Sequence, residues 1–315
     1  MIKTTQMIIR PECIADYATI GVLQARAFGN RVGEPLIVAL LRQRRSFDPE
    51  LSLVAEIDGR IIGHVLFSPH QIRLLDQIVP AVNLAPIAVD PAYQGRGIGS
   101  RLIAEGHAVA AARGYTVSFL LGHPTYYPRF GYRTHAYGSA QVAVSVDALP
   151  DDLLEIRDPT YEDVPALHEL WRREEGLVDM ALEPGLDLLD WLSPHPAIRA
   201  TVYTRSGEVV GYTRIHSTEP TMPRIFLARD RWIAPAIVAT MTRKLLTDAR
   251  RTQYILPLHP FSKSAEAFSH ATCTASNAAM ACPLGPCPLN DYLAHVRDGH
   301  RPPGRPTWPV AFDLD

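Results

Sequence analysis

Cysteine is scarce in this chain. Four cysteines in 315 residues, with no Cys-x-x-Cys pair, cannot make the framework of a disulfide-stapled secreted domain. Cys273, Cys282 and Cys287, even with His259 or His270 nearby, lack the tight paired spacing of zinc knuckles, so no metal is expected. Charge excess is also missing. With 31 basic and 33 acidic residues the net charge is −2, which gives no electrostatic footprint for nucleic acid. No apolar run reaches membrane-spanning length, and no basic start leads into an apolar stretch. Neither a membrane segment nor an export signal is therefore expected, and a reducing cytoplasm is the expected compartment. What is left is ordinary globular composition, 47% hydrophobic and 20% charged, in a chain long enough for two cores.

Glycine, by contrast, is concentrated where it carries information. The apolar run Leu84-Ala85-Pro86-Ile87-Ala88-Val89 leads into Gln94-Gly95-Arg96-Gly97-Ile98-Gly99, and a helix-like stretch starts at Ser100. Strand, glycine-rich turn and helix in that order suggest a phosphate cradle. Without Cβ atoms, successive backbone N–H groups can converge on an anion at the positive end of the helix. Two nucleotide classes are excluded by what is missing. A P-loop needs Gly-Lys-Ser/Thr, yet Gly99 is followed by Ser100-Arg101. A dinucleotide fold places an acid about 20 residues past the glycines, and no Asp or Glu occurs from Gly106 to Val146.

The segment Gln94 to Gly99 does match, at every fixed position, the Gln/Arg-x-x-Gly-x-Gly/Ala signature of the GNAT acetyltransferases, and Val89-Asp90-Pro91 is similar to their usual lead-in. The flanks agree with that resemblance. Met7-Ile8-Ile9-Arg10 reads as a strand, Ile14 to Phe28 and Glu34 to Arg44 as helices, and Ser52 to Ile57 as a strand that turns at Asp58-Gly59 into Ile61 to Phe67. After the cradle helix, which Gly114 ends, comes the strand Val117 to Leu121. Then Gly122-His123-Pro124-Thr125-Tyr126-Tyr127-Pro128-Arg129-Phe130-Gly131-Tyr132 resembles the Tyr-x-x-x-Gly-Phe element that closes a GNAT domain, with Tyr132 in place of phenylalanine. With its leading Leu-Gly-His-Pro it is especially similar to the YhbS-like acetyltransferases. The resemblance covers residues 7 to 146, under half the chain.

It implies acetyl-CoA as co-substrate and direct transfer of acetyl to a primary amine of a small molecule or peptide. Ile87, Ala88 and Val89 would present strand backbone to the pantetheine arm, and one N–H would polarise the acetyl carbonyl. Gln94, Gly95, Arg96, Gly97, Ile98, Gly99 and Ser100 would hold the pyrophosphate. Tyr127 would donate a proton, or a hydrogen bond, to the departing thiolate. Arg96, Arg101 and Arg129 could reach the coenzyme's phosphates, and each reads equally as solvated surface charge. A base is harder to find. Many relatives carry Glu on the strand before the cradle, where this chain has Ala85-Pro86, so the candidates are Glu34, His64, His123 or no dedicated residue. His64, alternating with Ile62 and Leu66, fits a hydrogen-bonded core histidine better than a base. A chain with strong binding motifs and no evident base leaves a second reading open, a non-catalytic acyl-CoA sensor.

The second half reads as a worn copy of the first. Ile156-Arg157 repeats Ile9-Arg10, Asp163 repeats Asp16, and Ser206-Gly207 to Gly211 repeats Asp58-Gly59 to Gly63. Arg10 to Gly63 is 53 positions and Arg157 to Gly211 is 54. His259-Pro260 echoes His123-Pro124, but Pro260 lies 49 past Gly211 while Pro124 lies 61 past Gly63, a loss of about a dozen residues placed at the cradle. Phe226 to Trp232 runs into the helix-like Pro235 to Arg250 with no glycine, so this half should hold no pyrophosphate. The expected fold is α/β (mixed α+β), a GNAT fold in tandem: a mixed twisted sheet with helices on both faces, the second copy degenerate. Domains are expected at 1–147 and 153–315, joined by Asp147 to Asp152, with a proline-rich tail from His300 to Phe312 docked in extended form through Trp308, Val310 and Phe312. Neither the acceptor nor the oligomeric state can be read from these residues.

Overall fold

The computed structural model describes residues 6–147, 149–244, 253–268 and 270–314. In chain order the main elements are β1 (Ile8–Pro11), α1 (Tyr17–Ala27), α2 (Gly33–Arg42), β2 (Ser52–Ile57), β3 (Arg60–Leu74), β4 (Gln77–Val89), α3 (Ile98–Ala112), β5 (Val117–Leu121) and β6 (Gly138–Ser145). There follow β7 (Glu155–Arg157), α4 (Val164–Glu175), β8 (Ile198–Arg205), β9 (Glu208–His216), β10 (Ile225–Ala228), α5 (Ile233–Lys244), β11 (Gln253–Leu256), β12 (Thr272–Ala275), β13 (Ala279–Pro283) and α6 (Leu289–Arg297). The last stretch of the helix-like segment expected to Arg250 lies outside the described residues, as does Ala148 of the expected linker.

Two compact units result. The first holds the described residues up to Ala136 together with Asn277–Ala294 and Leu314, and the second holds those of Tyr137–Ser276 and His295–Asp313. These limits differ from a cut near residue 150, because strand pairing rather than chain order assigns the edges. In the first unit β13 closes the outer edge of β5, from Ala279 opposite Leu121 to Pro283 opposite Val117. In the second, β6 has β11 on one side and β12 on the other. An edge strand leaves a row of backbone groups unpaired, so each of these pairings removes that cost.

The sheet of the first unit runs β1-β2-β3-β4-β5-β13, antiparallel except where β4 and β5 lie parallel. One face packs Val65, Phe67, Val82 and Leu84 against Leu102 and Ile103 of α3, and the other packs Val54, Ile61 and Ala88 against Ile20, Leu23 and Val38 of α1 and α2. Helices on both faces of a mixed sheet agree with the expected class. The second unit carries a four-stranded antiparallel sheet, β10-β9-β8-β7, and the three-stranded sheet β11-β6-β12.

Each unit opens on the same device. Arg10 donates to Asp16 at 2.6 and 3.0 Å while Asp16 accepts the Cys13 N–H at 2.8 Å. Arg157 donates to Asp163 at 2.5 and 2.6 Å while Asp163 accepts the Thr160 N–H at 2.8 Å. The carboxylate thus caps the turn that starts the helix, and the guanidinium ties that turn to the first strand. The hairpins also agree, with Asp58-Gly59 at φ 49° and 77° and Ser206-Gly207 at φ 51° and 81°. Both show a one-residue bulge at the same place, between Ala55 and Glu56 and between Tyr203 and Thr204. Gly63 faces Ala55 and Gly211 faces Tyr203 in matching register.

The proline-rich tail is docked within the second unit. Arg301 pairs with Asp179 and Arg305 with Glu175, Gly304 bridges to Tyr137, and Trp308 stacks edge-on against Tyr137 at 6.2 Å. From Val310 to Leu314 it winds into a 3-10 turn rather than staying extended.

Candidate active site

The site begins where two strands part. β4 and β5 pair only from Ala81 to Asn83 against Val117 to Phe119, although β4 continues to Val89. A bulge helps to turn it: across from Leu66 of β3, β4 spends two residues, Ala85 and Pro86, between the pairs Phe67–Leu84 and Val65–Ile87. Past Asn83 the backbone of β4 therefore runs beside an opening instead of a neighbouring strand.

Asp90 pins the end of β4. Its N–H donates to Ile62 O at 2.9 Å, its Oδ1 accepts the Ala92 N–H at 3.0 Å, and its Oδ2 meets Arg26 at 2.9 Å and Arg60 at 3.2 Å. Burial alone would raise its pKa, but the Ala92 N–H and the two arginines outweigh burial and hold the carboxyl below its ordinary value. The turn that follows needs its glycines for conformation rather than room. Gly95 and Gly97 sit at φ 76° and 78°, and a Cβ on either would meet nothing within 4 Å. Gly97 is the N-cap of α3 and caps it with no side chain, so the first-turn N–H groups face the opening. Gly99 is different, since a Cβ there would lie 3.1 Å from the Tyr126 hydroxyl.

The opposite wall comes from the turn after β5. Gly122 has no side chain because a Cβ would sit 2.4 Å from the Tyr127 ring. Tyr127 is packed edge-on by Tyr126 at 5.1 Å and by Tyr132 at 5.8 Å. Behind it, the Tyr132 hydroxyl shares hydrogen bonds with Ser118 at 2.6 Å and His107 at 2.9 Å. Burial, reinforced by the neighbouring Tyr126, pushes the Tyr127 phenol up to about 12.

Together these walls enclose a cleft of about 630 Å³, lined by Ile87, Val89, Tyr93, Gln94, Gly95, Gly97, Ile98, Gly99, Ser100, His123, Tyr126, Tyr127 and Arg129. Most of the expected residues meet there. Ala88 does not, because alternation along the strand turns its side chain into the core, where it is 3% exposed. Arg96 is also off the lining, donating to Ala92 O at 3.1 Å. His64 is no base. Fully buried, it bonds Gln24 at 2.7 Å and Ser52 at 3.0 Å, and burial lowers its pKa. Glu34, in the first turn of α2, does not line the cleft, whereas His123 does. Sequence reasoning missed Tyr93 and Tyr126 and left Arg129 open between a phosphate contact and surface charge. The signal for Tyr126 was its place beside Tyr127, and Arg129 stacks on the Tyr126 ring at 4.3 Å. Among the described residues no group of three or more His, Cys, Asp or Glu could hold a metal ion, and the four cysteines are unpaired.

Residues 9–135 match the family described as Acetyltransferase (GNAT) domain. Over 156 residues the chain is 34% identical to the uncharacterized N-acetyltransferase YhbS of Escherichia coli K12, a match that covers 47% of this chain and 90% of that one. The chain belongs to the GNAT acetyltransferases. A second relative, the uncharacterized N-acetyltransferase YjhQ of the same strain, is 40% identical over 119 residues, which is 38% of this chain and 65% of YjhQ, just under two thirds. Among solved structures, a GCN5-related N-acetyltransferase from Anabaena variabilis superposes with a TM-score of 0.68 at 13% identity, covering 89% of this chain and 73% of that one. A probable N-acyltransferase from Enterococcus faecalis gives 0.68 at 13% identity with 88% and 72% coverage. At that identity these two show likeness of fold, and it extends well past the segment that matches the GNAT family.

Proposed function

We propose that this chain is an acetyl-CoA-dependent N-acetyltransferase that acetylates a primary amine of a small molecule or peptide by direct attack. One observation carries the reading: the uncapped, glycine-turned N-terminus of α3 lies in the same cleft as the splayed end of β4 and Tyr127. A cleft of about 630 Å³ falls within the usual range for small-molecule sites. The residues fit the coenzyme, since no side chain fills the space beside Gly95 and Gly97 and the helix end supplies N–H donors for a pyrophosphate.

Acetyl-CoA would supply an activated acyl group with a thiolate leaving group. The chain's own part follows from its geometry. Ile87, Ala88 and Val89 offer strand backbone to the pantetheine arm, and an N–H among them polarises the carbonyl. Gln94 to Ser100 hold the phosphates, with Arg129 reaching in from the far wall. Tyr127 donates a hydrogen bond rather than its proton. With a phenol near 12 and a thiol near 8.5, full transfer is uphill by about 5 kcal/mol, whereas a held phenolic O–H steadies the thiolate without that cost. No carboxylate lines the cleft, so His123 is the lining side chain best able to take the amine's proton.

The second unit is, on this reading, a degenerate GNAT copy, supported by the repeated Arg–Asp device, hairpin and bulge. A reducing cytoplasm suits the unpaired cysteines, and no described helix is long and apolar enough to cross a membrane.

Isothermal titration with acetyl-CoA, followed by thiol release over a panel of primary amines, tests the function. Micromolar binding with turnover is expected, and Tyr127→Phe should keep binding within threefold while losing most of the turnover. Binding without turnover of any amine would favour the sensor; no binding would remove both readings.

A further inference from the structure

Three polar side chains of the first unit are buried without partners. Along β3 and β4, Phe67, Val82 and Leu84 face α3, so Ser68, His70 and Asn83 face the other way. Ser68 stands directly across from Asn83, and His70 across from Ala81 two pairs further on. They are 4%, 6% and 1% exposed. Even so, Ser68 Oγ, both ring nitrogens of His70 and both amide atoms of Asn83 have no hydrogen-bond partner among the described residues. Leaving such groups unpaired is costly, and native folds normally avoid it. The same strand shows that this fold can satisfy a structural histidine: His64, six residues earlier on the same face, has both nitrogens bonded.

The position is informative as well. Asn83 is the last residue of β4 paired with β5, so the group stands where the splay begins. The three side chains are neutral, and the charge acting on them is the positive one of Arg44. Burial, with Arg44 adding to it, pushes the His70 imidazole well below its ordinary value, leaving one N–H donor and one nitrogen acceptor beside a hydroxyl and a carboxamide. Donors and acceptors without charge suit a hydroxyl or an amide, and offer a second ammonium group nothing to offset its desolvation.

We infer that Ser68, His70 and Asn83 form the wall that recognises a hydrogen-bonding group, hydroxyl or carboxamide, carried by the amine acceptor. This rests on the acetyltransferase reading and gives it a substrate class. The test uses paired probes of similar shape: alaninol and alaninamide against sec-butylamine, with thiol release from acetyl-CoA as the readout and acetyl-CoA titration alongside. The wild type should show kcat/KM at least tenfold higher for the polar amines. Asn83→Leu and Ser68→Ala should erase that ratio and leave the acetyl-CoA Kd within twofold. Because they remove unsatisfied buried atoms, they should also raise Tm, by about 2–4 °C for the leucine variant. A fall in Tm would mean that the protein satisfies these groups internally through ordered water, which overturns the inference. So would an unchanged ratio in the variants, or a wild type that binds acetyl-CoA and does not favour the polar amines. Failure to bind acetyl-CoA would instead remove the acetyltransferase reading, and the Tm arm would still decide whether these groups await a ligand.

Discussion

Both units start a helix after a strand that leaves the bulged hairpin, and they treat that helix end in opposite ways. In the first, the strand ends at Val89, Asp90 turns back to cap Ala92, and four further residues lead to a helix whose N-cap is the bare Gly97. In the second, the strand ends at Ala228, and Asp230 Oδ1 accepts the N–H groups of Trp232 and Ile233, each at 2.9 Å. The positive helix end of the second unit thus already holds an anion, its own carboxylate. That of the first carries no side-chain cap. Burial would raise the Asp230 pKa, but the Ile233 N–H, Arg229 and the Trp232 N–H together lower it, so the carboxylate stays charged.

On the proposed reading of the second unit as a degenerate copy, a binding site would be closed with one side chain and a short deletion while the frame survives. The difference in length is not confined to the cradle. Gly63 pairs with Val89, 26 positions on, whereas Gly211 pairs with Ala228, 17 on, so the second hairpin is nine residues shorter. From Val89 to Ile98 is nine positions and from Ala228 to Ile233 is five, so four are missing from the turn.

Installing the second unit's solution in the first should give the largest effect. Gly97→Asp puts a carboxylate where the pyrophosphate would lie, and titration should show acetyl-CoA affinity reduced at least a thousandfold, about 4 kcal/mol; retained affinity would mean that the helix end is not the anion site. Next comes the pH effect of a buried carboxyl in the second unit. Offset by 147 positions from the first unit (Arg157 against Arg10), Glu174 and Glu175 stand where Ala27 and Phe28 stand. Glu174 is fully buried, accepts the Ser264 hydroxyl at 2.8 Å, and is raised to about 8 by burial and by Glu175. A carboxyl whose pKa is raised on folding contributes stability below its unfolded value near 4.5 and loses it as pH climbs through 8. Buried histidines such as His70 and His259, lowered by burial, act in the opposite sense over the same range, so the effect is read as a difference: between pH 5 and pH 8 the wild type should lose roughly 3 kcal/mol relative to Glu174→Gln, in which the histidine contributions are unchanged.

A smaller contrast lies in the paired glycines. A Cβ on Gly211 would lie 2.3 Å from Ile237 Cδ1 and 3.1 Å from the Leu227 carbonyl, whereas on Gly63 the nearest atom is Leu102 Cδ1 at 2.9 Å. Gly211→Ala should cost about 2 kcal/mol and Gly63→Ala roughly half that, read from denaturant midpoints; the reverse order would mean that the second core yields more easily. Smallest of all, Asp230→Ala should cost about 1 kcal/mol as a lost cap. It should leave acetyl-CoA stoichiometry at one per chain, because the second turn still lacks the glycines.

Much of this was legible residue by residue. The hairpins at Asp58-Gly59 and Ser206-Gly207, the Arg–Asp spacing of six and the cradle glycines are local requirements, met by neighbours in sequence, so the sequence carries them openly. The alternation of His64 with Ile62 and Leu66 already pointed to the hydrogen-bonded, buried position it occupies. Tyr126 and Tyr93 went unnoticed because lining a cleft depends on which way a turn faces, and Ala88 was included because a strand's backbone and side chain face different partners.

By itself the sequence determined the turn conformations, the helix starts and the presence of one anion cradle rather than two, since each follows from the φ freedom, hydrogen bonding or charge of a few consecutive residues. Tertiary structure alone decided that β13 rather than β6 completes the sheet beside β5, that Asp230 fills the second helix end, and that Ser68, His70 and Asn83 are buried together without partners. Those outcomes depend on pairing and burial between residues far apart in the chain, and no local pattern specifies which distant edge or cavity a strand will meet.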